Sequence, residues 1–274
     1  MISQVHTVEE VLEGIQHAKA KATDFRTNFF PVQARIQAWV SHGELWRAAR
    51  ESATFFLRKD RDFWHFYFCA ASPMALEREA ATVAELKTER VVTDLVGRES
   101  ELSDPVASLQ SVGFREYARL RRLVRAGRAG ESPFATGDVL ADWAEESDCA
   151  SLLRLIESAF DPYAEQLPTL YEVEAAVRQQ QVLVVKYNRE VAGSLFFETQ
   201  GFASTVRFWV VAEEYRALRV GSALMSAYFN SQNTVRRFTL WVNACNTNAI
   251  QKYGHYGYAP DGLVDHVLAN QTIP

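Results

Sequence analysis

The chain has 274 residues, 48% of them hydrophobic and 12% aromatic, with a formal net charge of -5 at pH 7. Such a composition sets aside a disordered or collagen-like chain and leaves room for two folded domains of ordinary size. Lysine and arginine are dispersed through a mildly acidic sequence rather than massed in one block, which argues against nucleic acid as a partner.

In chain order, Thr7 followed by Glu10 fits a capping box, and Val8, Val11, Leu12 and Ile15 supply an apolar face, so the chain should open on a helix. A second helix is expected from near Pro31 toward Val40. Thr54 to Leu57 and Phe63 to Cys69 read as strands joined at Lys59-Asp60-Arg61, a hairpin. Glu77 to Leu86 reads as a helix, Arg90 to Val96 as a strand, and Pro105 to Val112 as a short helix ended by Gly113. From Val124 to Asp138 glycines precede a proline and large apolar residues are few, which marks a linker at 128–137 between domains at 1–127 and 138–274.

Beyond the linker, Val139 to Ala144 is an expected strand and Cys149 to Phe160 a helix. Thr169 with Glu172 caps another helix, and Val182 to Tyr187 and Glu190 to Thr199 form a second hairpin around Asn188-Arg189. Val206 to Val211 is almost wholly apolar and reads as a buried strand. After a charged turn, Val220, Ala223, Leu224, Ala227 and Tyr228 carry a helical stripe. A strand from Phe238 to Val242, a helix from Asn246 to Tyr253 and a strand from Leu263 to Leu268 complete a mixed α/β pattern. The strand, polar turn, strand pattern from Phe55 returns from Leu183, and Gly113-Phe114 returns as Gly257-Tyr258, which points to an internal duplication. In the first half the stretch matching residues 216–223 contains no glycine.

Cys69, Cys149 and Cys245 are far apart, with no spacing suited to zinc, and are expected as reduced thiols of a cytoplasmic protein without a metal site, Cys245 being buried. No signal-peptide block opens the sequence, and no run approaches the ~20 apolar residues that span a bilayer, so no membrane partner is expected.

Two stretches carry chemistry. Arg216-Ala217-Leu218-Arg219-Val220-Gly221-Ser222-Ala223 places small residues and free N–H groups at a helix start beside two guanidinium groups, a design for binding anions. Downstream, Asn246, Ala249, Ile250 and Tyr253 fall at i, i+3, i+4 and i+7, on one helical face. Together these stretches resemble the GCN5-related N-acetyltransferase (GNAT) family. Its phosphate loop follows a strand ending in valine and reads Gln or Arg, two residues, Gly, one residue, Gly or Ala. Val211, Arg216 and Gly221 match, while Arg219 stands at the first glycine. Asn246, Ala249, Tyr253, Gly257 and Tyr258 match its second motif.

The resemblance implies two GNAT-like domains, each a mixed, mostly antiparallel sheet flanked by helices, of which the first is a copy without the loop for coenzyme A. It implies transfer of an acyl group from acetyl-CoA to a small-molecule or peptide amine; a non-catalytic acyl-CoA-binding protein is the alternative. Trp209, Val210 and Val211 would lie along the pantetheine arm, Arg216, Arg219, Val220, Gly221, Ser222 and Ala223 around the phosphates, and Asn246 and Ala249 on the facing helix. Tyr253 matches the family's general acid. Thr205 stands where some relatives carry a basic glutamate, so Glu198 is the first choice of base, with Asp265, His266 or a water chain as alternatives. Cys245 as an acyl carrier and His255 as a catalytic group are set aside.

Overall fold

The computed structural model describes residues 2–271 apart from Pro31, Ala84 and 128–138. The expected linker at 128–137 therefore lies outside the described residues, as does Pro31. Two compact units are present, Met1–Leu120 with Gly262–Pro274, and Arg121–Asp261. They are not successive stretches of chain, which a reading of the sequence as two consecutive domains does not anticipate.

The first unit opens with the short strand β1 (Ser3–Gln4) and helix α1 (Val8–Ala20). Thr7 Oγ1 accepts the Glu10 N–H at 3.2 Å, as its spacing predicts. Leu12, expected on the apolar face, is 51% exposed. The helix instead docks through Gly14, where an added Cβ would lie 2.9 Å from Phe56 Cζ. The centre of the buried stripe through Val8, Val11, Gly14 and Ala18 lies more than a quarter turn from Leu12.

After β2 (Arg26–Thr27) and α2 (Gln33–Ser41), strands β3 (Leu45–Ala49), β4 (Ala53–Asp60) and β5 (Phe63–Ala70) form an antiparallel meander. The expected hairpin is its second turn, with Arg61 at φ 45. The single helix expected over 77–86 is two, α3 (Pro73–Ala80) and α4 (Glu85–Thr88), and the first starts earlier than expected because Ser72 caps it and Pro73 occupies its opening position. Strand β6 (Val91–Arg98) runs parallel to β5 and pairs on its other side with residues 263–269. Helix α5 (Glu99–Ser111) starts well before Pro105 and holds that proline inside it. An unanticipated strand, β7 (Arg115–Ala126), follows.

In the second unit only β8 (Asp142–Trp143) forms within the strand expected at 139–144. Helices α6 (Cys149–Ala159), α7 (Pro162–Glu165) and α8 (Leu170–Arg178) precede the antiparallel strands β9 (Val182–Tyr187), β10 (Glu190–Gln200) and β11 (Ala203–Val211). Asn188 and Arg189, at φ 49 and 70, make the left-handed turn that a two-residue hairpin requires. Helix α9 (Val220–Ser231), strand β12 (Arg237–Asn243), helix α10 (Thr247–His255) and strand β13 (Ala259–Ala269) complete the chain. Helices α6 and α8 cover one face of the sheet with Phe196, Phe208 and Val210, while α9 covers the other with Leu195, Phe197 and Leu240.

Both halves thus run through the same order. Setting aside the one-turn helices α4 and α7 and the two-residue strands, two helices lead into a three-stranded meander, then a helix, a strand parallel to the meander's last strand, a further helix and a final strand. Helices α5 and α10 even share one ending. Gly113 and Gly257 take positive φ, and the Phe114 and Tyr258 N–H groups return to the carbonyls of Leu109 and Tyr253. The duplication read from Phe55 and Leu183 is therefore a duplication of architecture.

Candidate functional site

The site begins with a fault in a ladder. Phe197 pairs with Val206 and Phe196 with Phe208, which leaves Arg207 as an extra residue on β11. Such a bulge reverses the side chains beyond it. Val206 therefore packs with α9, whereas Phe208 and Val210 turn to the α6 side and Trp209 and Val211 take the α9 side. Beyond the bulge the parallel partner is lost as well. Strands β11 and β12 pair over Ala203–Val206 and Arg237–Leu240, and then separate. The Ala212 N–H still donates to the Ala192 carbonyl of β10. Because backbone groups alternate along a strand, the Val211 and Trp209 N–H groups point away from β10, toward the opening.

Helix α9 starts at the mouth of this opening. Its N-cap is Arg219, at φ 60 and ψ 13, with no side-chain cap. The left-handed turn that the family's glycine would supply is therefore present, built on an arginine. The Ala223 N–H donates to the Arg219 carbonyl. Ahead of it, the N–H groups of Arg219, Val220, Gly221 and Ser222 have no acceptor within the helix. The side chains of Val220 and Ala223 are buried in the core at 0% and 1% exposure, so Val220 can offer only its backbone and Ala223 offers neither side chain nor N–H. Gly221 serves packing too, because a Cβ there would lie 3.0 Å from Trp209 Cζ2. The Trp209 indole packs between Tyr253, at 5.4 Å between ring centroids, and Tyr256, at 5.6 Å.

Helix α10 forms the facing wall. Asn246 is its N-cap, its Oδ1 accepting the Ala249 N–H at 3.0 Å. Its amide oxygen thus shapes the helix start as well as bordering the site. Tyr253 is 9% exposed, packs edge-on against Tyr258, and is held by burial well above the usual phenol range, so it stays protonated at neutral pH. The nearby Glu165 charge pushes the same way.

A cavity of about 910 Å³ joins these parts. Of the residues expected at the site, Trp209, Val210, Val211, Arg216, Arg219, Gly221, Ser222, Asn246, Ala249 and Tyr253 line it. Glu198 does not: its carboxylate takes the Arg207 guanidinium at 2.7 Å, where the bulged residue meets its neighbouring strand. Thr205 is hydrogen-bonded to Thr239 at 2.7 Å. Asp265 and His266 belong to the first unit. There, burial and the neighbouring Asp94 charge raise the Asp265 carboxyl, and His266 lies between Glu99 and Glu116. Cys245 is exposed rather than buried, because it sits in the turn before α10, where its N–H donates to Asn243 Oδ1.

Sequence reasoning missed Lys252 and, above all, Glu165. Glu165 ends α7, a single turn fixed by the Asp161 cap on the Tyr163 N–H and by Pro162 at its start. Burial pushes its carboxyl up to about 7. Asp161-Pro162 is a readable cap signal, but nothing local tells that the turn it starts faces this cavity.

The acetyltransferase (GNAT) family model matches residues 140–258. This segment is a GNAT-family domain. The fold likeness extends beyond it. A tandem GNAT protein from the clavulanic acid biosynthesis pathway, solved without AcCoA, is 12% identical with a TM-score of 0.64, covering 100% of this chain and 99% of its own. A GCN5-related N-acetyltransferase from Sphaerobacter thermophilus is 12% identical at a TM-score of 0.59, covering 98% of this chain and 94% of its own. One from Kribbella flavida is 13% identical at 0.59, covering 89% and 98%. No curated protein sequence matches the chain. At such identities the solved structures speak for the fold. Within the GNAT domain Arg216, Arg219, Gly221 and Ser222 border one cavity with Asn246, Ala249 and Tyr253, and no helix of the described residues is long and apolar enough to cross a membrane.

Proposed function

We propose that the GNAT domain is an acyl-CoA-dependent N-acyltransferase, with acetyl-CoA as co-substrate and an amine on a small molecule or peptide as acceptor. One observation carries this reading: a single cavity reaches from the parted strands β11 and β12 to the uncapped start of α9. Coenzyme A presents phosphates at one end and a chain of amides leading to a thioester at the other. The N–H groups of residues 219–222 suit the phosphates, with Arg216 and Arg219 beside them. The Trp209 and Val211 N–H groups suit the amides of the pantetheine arm.

In this reading an amine attacks the thioester carbonyl carbon, a C–N bond forms, the C–S bond breaks, and the leaving thiolate takes the Tyr253 phenol proton. The Val211 N–H is a donor for the carbonyl oxygen as it gains charge. The test is thiol release from acetyl-CoA across a panel of amines, combined with calorimetric CoA binding. Tyr253→Phe is expected to lower kcat about 100-fold with little change in KM for acetyl-CoA. Binding without thiol release on any amine would leave a non-catalytic acyl-CoA-binding protein.

A further inference from the structure

We infer that Glu165 takes the proton from the acceptor amine, an inference that rests on the acyl-transfer reading above. Among the described residues it is the only carboxylate on the cavity wall. It reaches that wall from the connection between α6 and α8, an element separate from the strands and helices that hold the CoA-binding features. Its placement is fixed locally. Asp161 caps the turn, Pro162 presets its first residue, and Gln166 at φ 44 ends it. The Asp161 N–H donates to Glu165 Oε2 at 3.2 Å, which orients the carboxyl and leaves Oε1 to meet a substrate.

Two groups act on this carboxyl electrostatically or are acted on by it: Asp161 from its own turn and Tyr253 from α10. Glu165 and Tyr253, the phenol assigned to the leaving thiolate, line the same cavity. The remaining titratable groups on the wall are Arg216, Arg219, Lys252, His255 and Tyr256. Of these His255 is exposed. It also follows Tyr253 by two residues and so stands on another side of α10. A base works best when its affinity for a proton is matched to the operating pH, and a carboxyl raised by burial to about 7 meets that condition.

The proton balance closes. An acceptor ammonium gives one proton to the Glu165 carboxylate, and the free amine attacks the thioester carbon. As the C–S bond breaks, the thiolate leaves with the Tyr253 proton. The second proton lost from nitrogen on forming the amide restores Tyr253 through solvent, and Glu165 releases its proton to solvent. Ammonium and thioester thereby yield amide, thiol and one net proton, with both side chains returned to their starting states.

The experiment compares the wild-type protein with Glu165→Gln and Glu165→Asp. Acetyl-CoA affinity is measured by calorimetry, and thiol release is followed with spermidine, glucosamine and a lysine-bearing peptide from about pH 6 to about pH 9. Glu165→Gln is expected to bind acetyl-CoA as the wild type does, to lose about 100-fold in kcat/KM near neutral pH, and to shift its rise in rate from near pH 7 toward the amine's own pKa. Glu165→Asp should fall between the two. If the wild-type protein transfers acyl groups and Glu165→Gln keeps both its rate and its pH profile, Glu165 is not the base while the acyl-transfer reading stands. If the wild-type protein binds acetyl-CoA yet releases no thiol with any amine, the acyl-transfer reading falls and takes this inference with it.

Discussion

Arg219 allows a backbone effect to be separated from a charge effect at one position. It sits at φ 60 and ψ 13 as the N-cap of α9. For a residue with a Cβ, that left-handed conformation costs about 1–2 kcal/mol, because Cβ crowds the following carbonyl oxygen. Glycine carries no such cost, although it loses more freedom on folding, so Arg219→Gly should gain on the order of 1 kcal/mol. For a domain of this size that is a rise in melting temperature of about 2–4 °C. Arg219→Ala keeps the Cβ and should change stability by less than about 0.5 kcal/mol. Asn tolerates the left-handed region better than most residues, so Arg219→Asn should fall between them.

Affinity should move the other way. Each of the three substitutions removes a guanidinium beside the start of α9, worth about 0.3–1 kcal/mol toward an anion, or about a two- to fivefold weaker Kd for CoA. Because Arg219 lies at an open cavity mouth, the loss should shrink as salt is raised. Thermal unfolding and calorimetry at two salt concentrations read the two effects separately. Equal melting temperatures for the Gly and Ala variants would refute the argument that the loop geometry is held against the preference of its own residue.

Gly221→Ala should cost about 1 kcal/mol and shift tryptophan fluorescence, because the new Cβ would lie 3.0 Å from the Trp209 ring; an unchanged spectrum and melting temperature would show that the indole has room to move. Glu165 makes stability depend on pH with a defined sign. Its carboxyl rises from 4.5 to about 7 on folding, so the folded state binds the extra proton between those values, and stability falls as pH rises through that window. Removing the group with Glu165→Gln should leave stability unchanged near pH 4 and raise it by up to about 3 kcal/mol at pH 8. An equal effect at both pH values in urea unfolding would rule out a carboxyl raised by burial.

What the sequence declared were features fixed by near neighbours. Thr7 and Thr169 announced their helices because a cap bonds three residues on, and Asn188-Arg189 announced a hairpin because few turns join two strands so tightly. The two motifs of the cavity were legible for the same reason, each being a local arrangement of a helix start. Strand β3 was not, since Leu45-Trp46-Arg47-Ala48-Ala49 is a strand only through pairing with β4. Nor was the bulge at Arg207, where apolar residues on both sides of the strand hide the residue at which the alternation slips. That slip aims Trp209 and Val211 at the cavity and engages Arg207 with Glu198, a carboxylate that does not line the cavity. Glu165 was hidden for a plainer reason: its environment is made by elements far from it in sequence.

The duplicated architecture raises the question of why, among the described residues, such a cavity stands in the second unit and a much smaller one in the first, and the first unit answers it with its own residues. Helix α3, which occupies the place of α9, starts with the Ser72 hydroxyl accepting the Ala75 N–H at 3.1 Å and with Pro73, which has no N–H. Two of the donors that an anion would use are thus withdrawn. Between β5 and β6, where the second unit leaves the equivalent strands apart, the side chain of Asn28 spans the gap. Its Oδ1 accepts the Phe68 N–H at 2.7 Å, and its Nδ2 donates to the carbonyls of Phe66 and Asp94 and to Thr93 Oγ1. These bonds replace those an amide-bearing ligand would make, and the space left beside them is about 260 Å³. Calorimetry should therefore find one CoA per chain. Asn28→Ala should destabilise the protein by about 1–3 kcal/mol through the groups it leaves unpaired, without creating a second site. Binding of a second CoA to the wild-type protein would refute this account, because it would require Asn28 to leave bonds that hold β5 to β6.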